Sequence, residues 1–246
     1  MSIYMWRELG PWTYHNPVEG LISFSTDWIT WYTIADKNLW ATTVYNDWDV
    51  LSEANCGKYY QWWNNYGFPF TWPVTTSSTQ VNAGTYWPWN YYSSNKFITR
   101  SELPYWWDSS NNTNLWWNTT DTFVARQWPC DVGYHVPSKD ESVSLVAVMT
   151  ALWIDTSNWN CMKTYLKMPF AGYRDSRTAG VSHQGTSANY WSSTASFNDG
   201  AYNMYFNSAE FYPQGGGVRS YGFSIRPFKN TAVQPDDSWT VLYQPS

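Results

Sequence analysis

Cys130-Asp-Val-Gly-Tyr-His-Val-Pro-Ser138, running on into Lys139-Asp140-Glu141, is the stretch that decides how the rest of the chain is read. Ser138 is placed as a helix N-cap, and Glu141 three residues on completes a capping box, in which each side chain satisfies the other's orphaned backbone N–H. Val143, Val146, Ala147 and Leu152 follow near helical spacing, so the stretch predicts a helix with those residues as its apolar positions.

Upstream, Leu21-Ile-Ser-Phe-Ser25 and Thr30-Trp-Tyr-Thr-Ile34 alternate around Thr26-Asp-Trp28, the pattern of a β-hairpin. Leu51 to Trp62 reads as a short helix opened by Ser52, Glu53 and Ala54. Residues 64–127 are polar and aromatic with weak periodicity, and read as a long insertion carrying short strands. Downstream of Cys161 the pattern turns to strands, over Lys163–Met168, Asn189–Ser193, Ala201–Asn207 and Tyr221–Phe228. Gly172, Gly180, Gly185, Gly200 and Gly215-Gly216-Gly217 punctuate them. Residues 1–17 read as a tail or the end of a preceding segment, and 231–246 as a tail or linker, leaving 18–230 as one α+β domain.

Composition narrows the function. Aromatics are 21% of the chain and charged residues 13%, which provides a core and lacks the character of a disordered segment. The net charge of −5, with no block of Lys or Arg, argues against nucleic acid as a partner. No run approaches the roughly 20 apolar residues of a membrane helix, so no membrane insertion is expected. Met1-Ser-Ile-Tyr-Met-Trp-Arg7 lacks the layout of a signal peptide. Cys56, Cys130 and Cys161 are too few and too far apart for a disulfide scaffold or a metal knuckle; no cofactor or metal is expected.

Tryptophan is anomalous: 20 Trp against 14 Gly. Many sit in turn contexts, as in Asn46-Asp47-Trp48-Asp49, Trp87-Pro88-Trp89-Asn90, Gln127-Trp128-Pro129 and Asn158-Trp159-Asn160. Such places favour a residue that tolerates positive φ, normally glycine. The pattern predicts that Trp28, Trp40, Trp48, Trp63, Trp128, Trp153 and Trp159 stand where the native protein has glycine, in a bacterial lineage or its phage that reads UGA as glycine. The competing reading is a tryptophan-rich surface for stacking on sugars.

The Cys130–Ser138 stretch with Glu141 resembles the signature of the Fibrobacter succinogenes major paralogous domain, Cys-Pro-x-Gly-Trp-His-Val-Pro-Ser. Met168-Pro-Phe-Ala-Gly-Tyr-Arg174 is similar to that family's Leu-Pro-x-x-Gly-x-Arg, Tyr190-Trp-Ser-Ser-Thr194 to its Tyr-Trp-Ser-Ser-Thr, and Gly222-Phe-Ser-Ile-Arg226 to its closing Gly-Phe-Ser-Val-Arg. Ile34-Ala-Asp-Lys-Asn-Leu39 and Cys56-Gly-Lys-Tyr-Tyr-Gln-Trp62 match its upstream elements more weakly. The resemblance implies a C-type-lectin-like fold with two helices, small antiparallel sheets and the loop-rich insertion. It also implies kinship with the variable proteins of diversity-generating retroelements, which sit on phage tail tips or bacterial surfaces and vary their C-terminal strands and loops. Residues 1–17 could then join the interface of a homo-oligomer. Two departures stand out: Pro227 where many members have a cysteine that bridges to the one at Cys130, and Ser142 where they have tryptophan.

Residues 173–221 hold 6 Tyr, 8 Ser, 4 Asn and 6 Gly and no Lys, the composition of an antibody paratope. The expected partner is a protein or glycan on a host or neighbouring cell surface. Expected contact residues flank the fixed motifs. They are Asp175, Ser176 and Arg177, then Ser182, His183, Ser187 and Asn189, then Phe197, Asn198 and Asp199. Asn203, Tyr205 and Asn207 follow, with Glu210, Phe211, Tyr212, Gly216 and Val218. Strand alternation sets Asn203, Tyr205 and Asn207 on one face and Tyr202, Met204 and Phe206 toward the core. His135 and Trp191 read as structural, His183 as a contact and His15 as part of the tail. The motifs of a calcium lectin are missing, since Gln234-Pro-Asp236 falls in the tail. No catalysis is expected: formylglycine-generating enzymes share the broad fold but need a close pair of reactive cysteines. A fixed structural virion or envelope module is the remaining alternative.

Overall fold

In a computed structural model, Ser138 Oγ accepts the Glu141 N–H at 3.1 Å and the Glu141 carboxylate accepts the Ser138 N–H at 2.7 Å, closing the expected box. The structure describes residues 13–26, 32–81, 92–100, 126, 129–157, 160–196 and 200–230. In chain order these form β1 (Thr13–Asn16), β2 (Leu21–Phe24), β3 (Tyr32–Ala35), α1 (Glu53–Cys56), β4 (Tyr60–Gln61), β5 (Thr75–Ser77), β6 (Lys96–Ile98), β7 (Tyr134–His135) and α2 (Lys139–Ala151). Then follow α3 (Asn160–Thr164), β8 (Tyr173–Arg174), β9 (Val181–Ser182), β10 (Ser187–Ala195), β11 (Gly200–Asn207), β12 (Phe211–Val218), β13 (Gly222–Phe223) and β14 (Phe228–Lys229).

The architecture is mixed α+β, with few helices and several small sheets. One sheet runs β1-β2-β3-β14-β7, so the N-terminal hairpin pairs with the last strand; a second is the β10-β11-β12 meander; a third runs β4-β13-β8-β9. Pairing in these three is antiparallel, while β5 and β6, inside the expected insertion, pair in parallel.

α2 lies between the first two sheets. Its Leu145 and Met149 share a core with Ile22, Phe24, Ile34, Tyr190, Met204 and Phe206. The buried face is Ser142, Leu145 and Met149, whereas Val143 and Val146 are half-buried and Ala147 is exposed. Apolar residues lie all round this helix, so spacing could not choose the face; contact with β2, β10, β11 and β12 does.

Other expectations shift. β1 pairs with β2 within the stretch read as a tail, because Asn16 Oδ1 accepts the N–H groups of Val18 and Glu19 and closes a turn there. His15 on β1 is buried against Asp36 at 3.0 Å. The expected helix over Leu51–Trp62 is only the four residues of α1: Gly57, at φ +71, ends it with its N–H on Glu53 O, and the chain then enters β4. Lys163–Met168 is no strand; α3 runs to Thr164, and Met168 packs in the α2 core. Tyr221–Phe228 divides into β13 and the start of β14, each serving a different sheet.

Several tryptophans are strained. Among the described residues, non-glycine positive φ occurs at Trp40, Trp63 and Trp153, and also at Lys167, Ala179 and His183. Trp153 follows α2. Its N–H reaches Thr150 O at 3.0 Å and the Ile154 N–H reaches Met149 O at 3.1 Å, which is the Schellman motif with Trp153 at its left-handed C′ position. Its side chain is 97% exposed, so no packing offsets the strain. Trp40 and Trp63 are each the third residue of a turn, closed by Ala41 N–H on Asn38 O and by Asn64 N–H on Gln61 O. Positive φ at that residue alone is the type II turn, which favours glycine. Trp48 is highly exposed but is not among the positive-φ residues, so the turn gives no reason for glycine there. Trp28, Trp128 and Trp159 lie outside the described residues.

Left-handed backbone costs an L-residue roughly 1–2 kcal/mol, and glycine's added freedom in the unfolded chain offsets part of that. Trp153→Gly is therefore expected to stabilise the fold by about 1 kcal/mol, raising Tm by about 2–4 °C, while Trp153→Ala does not. Calorimetry of the two variants checks it.

The box also carries charge. His135 Nε2 meets Glu141 Oε1 at 3.1 Å while Nδ1 meets Asn230 Oδ1 at 2.9 Å, and Arg126 pairs with the same carboxylate. Burial pushes the Glu141 carboxyl up, but the His135 hydrogen bond and charge and the Arg126 guanidinium outweigh it and bring it down to about 2. A lowered carboxyl contributes stability above its ordinary value of 4.5 and loses it as pH falls toward about 2. Urea midpoints should fall across that window in the parent chain, and Glu141→Gln should flatten this part of the fall.

Candidate ligand-binding cleft

β10 and β11 alternate, and the two faces of their sheet do different work. Ala188 and Tyr190 of β10 and Met204 and Phe206 of β11 point to the α2 core. Ser187 and Asn189, with Tyr205 opposite Asn189 and Asn203 diagonal to it, point the other way. β12 completes that face with Tyr212 and the three glycines 215–217, and Tyr173 of β8, His183 just after β9, Tyr221 just before β13 and Phe223 within it close it. Together they bound a cleft of 430 Å³, within the range of small-molecule sites.

Three aromatic pairs shape the walls. Tyr173 stacks on His183 at 5.2 Å, Tyr205 on Tyr212 at 6.1 Å and Tyr221 on Phe223 at 5.5 Å, each within 20° of parallel. On the floor, Asn203 Nδ2 donates to Asn189 Oδ1 at 2.9 Å. Asn203 is 2% exposed, and its Oδ1 has no hydrogen-bond partner. Tyr205 Oη accepts from Asn207 Nδ2 at 2.6 Å, which leaves its own proton available. Gly217 is required here, because a Cβ would sit 2.7 Å from the Phe223 ring. Between Asn203 and Tyr205 the pairing with β12 slips, so Pro213 and Gln214 bulge from this edge strand, where a proline is tolerated.

Rigid anchors hold these elements. Arg174, beside Tyr173, is buried and donates to Pro69 O, Trp72 O and Ala179 O. Trp191 continues β10 beneath Phe223 at 4.1 Å and donates Nε1–H to Tyr60 O at 2.7 Å, a core role as expected. Ser193 N–H bonds Pro137 O at 2.8 Å and Thr194 Oγ1 accepts the Lys139 N–H at 3.0 Å, which ties β10 to the start of α2.

Of the expected contact residues, the structure brings together His183, Ser187, Asn189, Asn203, Tyr205, Tyr212 and Gly216. Others belong to the scaffold. Asp175 accepts from the N–H groups of Arg177 and Thr178, making an Asx turn, and Ser176 is 3% exposed with its carbonyl bonded by Arg100 N–H. Phe211 packs edge-on to Phe206 against the α2 core, the opposite face from the one expected. Asn207 Oδ1 caps the β11–β12 turn through the N–H groups of Ala209 and Glu210. Arg177, Ser182, Glu210 and Val218 lie outside the cleft lining. Phe197, Asn198 and Asp199 fall outside the described residues. Tyr173, Tyr221 and Phe223 were missed because they sit inside or beside the fixed motifs. Gly215 and Gly217 were read as punctuation, yet they are interior to a strand.

The three thiols lie in three separate core clusters, and burial raises each, to about 12 for Cys56 and Cys161 and further for Cys130. No helix among the described residues is long and apolar enough to cross a membrane. Comparison of the chain with protein-family models, with curated proteins and with solved structures finds no match in any of the three.

Replacing both members of a buried hydrogen-bonded pair by apolar groups of similar size is close to neutral, whereas removing one strands the other at about 1–3 kcal/mol. Asn189→Leu with Asn203→Leu is thus expected to unfold at or above the parent's urea concentration. A loss of more than about 2 kcal/mol would mean that the amides serve the fold rather than the cleft.

Proposed function

We propose that this chain is a ligand-binding protein of the C-type-lectin-like class, whose C-terminal strands and loops engage a protein or glycan on a host or neighbouring cell surface. It makes and breaks no bond. In this reading it is a variable protein of the diversity-generating kind, displayed at a virion tail tip or a bacterial surface. One observation carries the proposal: the same strands turn anchoring groups to one side and a Tyr-, Asn- and Gly-lined cleft to the other. Tyrosine offers rigid, amphipathic contact area at low entropic cost, and the amides and glycines around it adapt. Arg174, Trp191 and Arg219, of the other residue types that commonly anchor binding faces, are turned to the interior beside the cleft.

The experiment is flow cytometry of the fluorescently labelled full chain on intact cells from the community that carries the gene. Staining is expected, and Tyr205→Ala with Tyr212→Ala should weaken it at least about tenfold, equivalent to about 1.4 kcal/mol. Val132→Ala, at an exposed residue outside the cleft lining, should leave it unchanged. Absent staining, or staining indifferent to the tyrosines, contradicts the proposal and favours a fixed structural module.

A further inference from the structure

Resting on that binding reading, we infer the class of ligand: the cleft takes the terminal sugar of an uncharged glycan. Among the described residues the lining contains no Asp, Glu, Lys or Arg, so no permanent charge there compensates one withdrawn from water. The ligand is uncharged. The floor holds a buried acceptor, Asn203 Oδ1, without a partner and 3.3 Å from where a Cβ on Gly215 would stand, so an O–H or N–H entering there would satisfy it. The walls are flat ring faces, whose negative charge density attracts C–H groups. At Gly216 a Cβ would meet nothing within 4 Å, so a ring can lie along the bare β12 backbone.

A pyranose combines an aliphatic C–H face with hydroxyls around its edge. That matches aromatic walls with polar groups at two levels, Ser187, Asn189 and Asn203 on the floor and the Tyr205 and Tyr212 hydroxyls at the rim. A tyrosine projecting from a protein partner brings one hydroxyl and leaves most of these groups unmet.

The test is a glycan array probed with the full chain in buffer containing EDTA, carrying neutral, sialylated and sulfated glycans. The expected result is signal on a subset of neutral glycans, at least tenfold weaker for Asn189→Leu/Asn203→Leu at a Tm no lower than the parent's. Signal confined to sialylated or sulfated glycans overturns the inference. So does a blank array with cell staining that protease treatment abolishes, which points to a protein partner and leaves the binding reading standing. A blank array without cell staining removes both.

A separate observation carries a second inference. We infer that Trp40, Trp63 and Trp153 occupy glycine positions of the native protein, encoded by UGA in a lineage that reads it as glycine. Two of them extend exposed indoles from left-handed turn or C′ positions, at 64% and 97% exposure. The third repeats the type II turn but buries its indole, 2% exposed, against Tyr92, so there the backbone alone carries the inference. The tests are the codons in source DNA and the peptide masses of protein purified from that source. UGA at all three with glycine masses is expected. UGG codons, or UGA with tryptophan masses, overturns it.

Discussion

Arg226 is almost wholly buried, and its hydrogen bonds end on oxygens from distant parts of the chain: Ala35 O at 2.9 Å, Lys167 O at 2.8 Å and Asn38 Oδ1 at 3.1 Å. Asn38 passes the connection on, donating to Cys56 O and to Tyr190 Oη, and Tyr190 donates to Pro169 O. Burial pulls the guanidinium's pKa down from its ordinary value, the mark of a charge held away from water. Such a group is tolerated only where its donors are met, so the N-terminal hairpin's exit, the turn before β8, β10 and the final motif must all assemble around it. Arg226 stands two residues before β14, so the same bonds help to hold the chain where Phe228 pairs with Ile34 of β3.

Arg174 repeats the device for the segment beneath the cleft, and Arg219 does so between β12 and β13, donating to Gly200 O and lying over the Trp62 ring at 4.6 Å. Arg174 gathers backbone from two separate segments and Arg219 links Gly200 to Trp62, so β8 to β13 are held from within. Most of the outward side chains are then relieved of structural duty, Gly217 and Asn207 excepted. The changeable binding face proposed above would need this separation, and the separation follows here from strand alternation and the three buried arginines.

Much of this was legible in the sequence, for identifiable reasons. The Ser138–Glu141 box, the core roles of His135 and Trp191 and the alternation of Asn203 and Tyr205 with Met204 and Phe206 are local patterns, and local patterns survive folding. The face of α2 was not legible, because its apolar residues encircle it and only tertiary contact chooses Leu145 and Met149. β12 was hidden by Pro213 and the three glycines, which read as a loop and instead form a bulged edge strand. His15 was assigned to a tail because its partner Asp36 lies 21 residues away. The cleft was half legible: variable-looking residues were found, while Tyr173, Tyr221 and Phe223 were masked by the motifs that place them.

The account's central claim is that a fixed frame presents a changeable face. Sequencing this gene in many individuals of its source population, with its flanks, tests that most directly. The account predicts substitutions concentrated at His183, Ser187, Asn189, Asn203, Tyr205, Tyr212 and Gly216, with Arg174, Tyr190, Trp191, Arg219 and Arg226 constant and a reverse transcriptase with a template copy nearby. An invariant cleft, or variation spread evenly over face and frame, would contradict it.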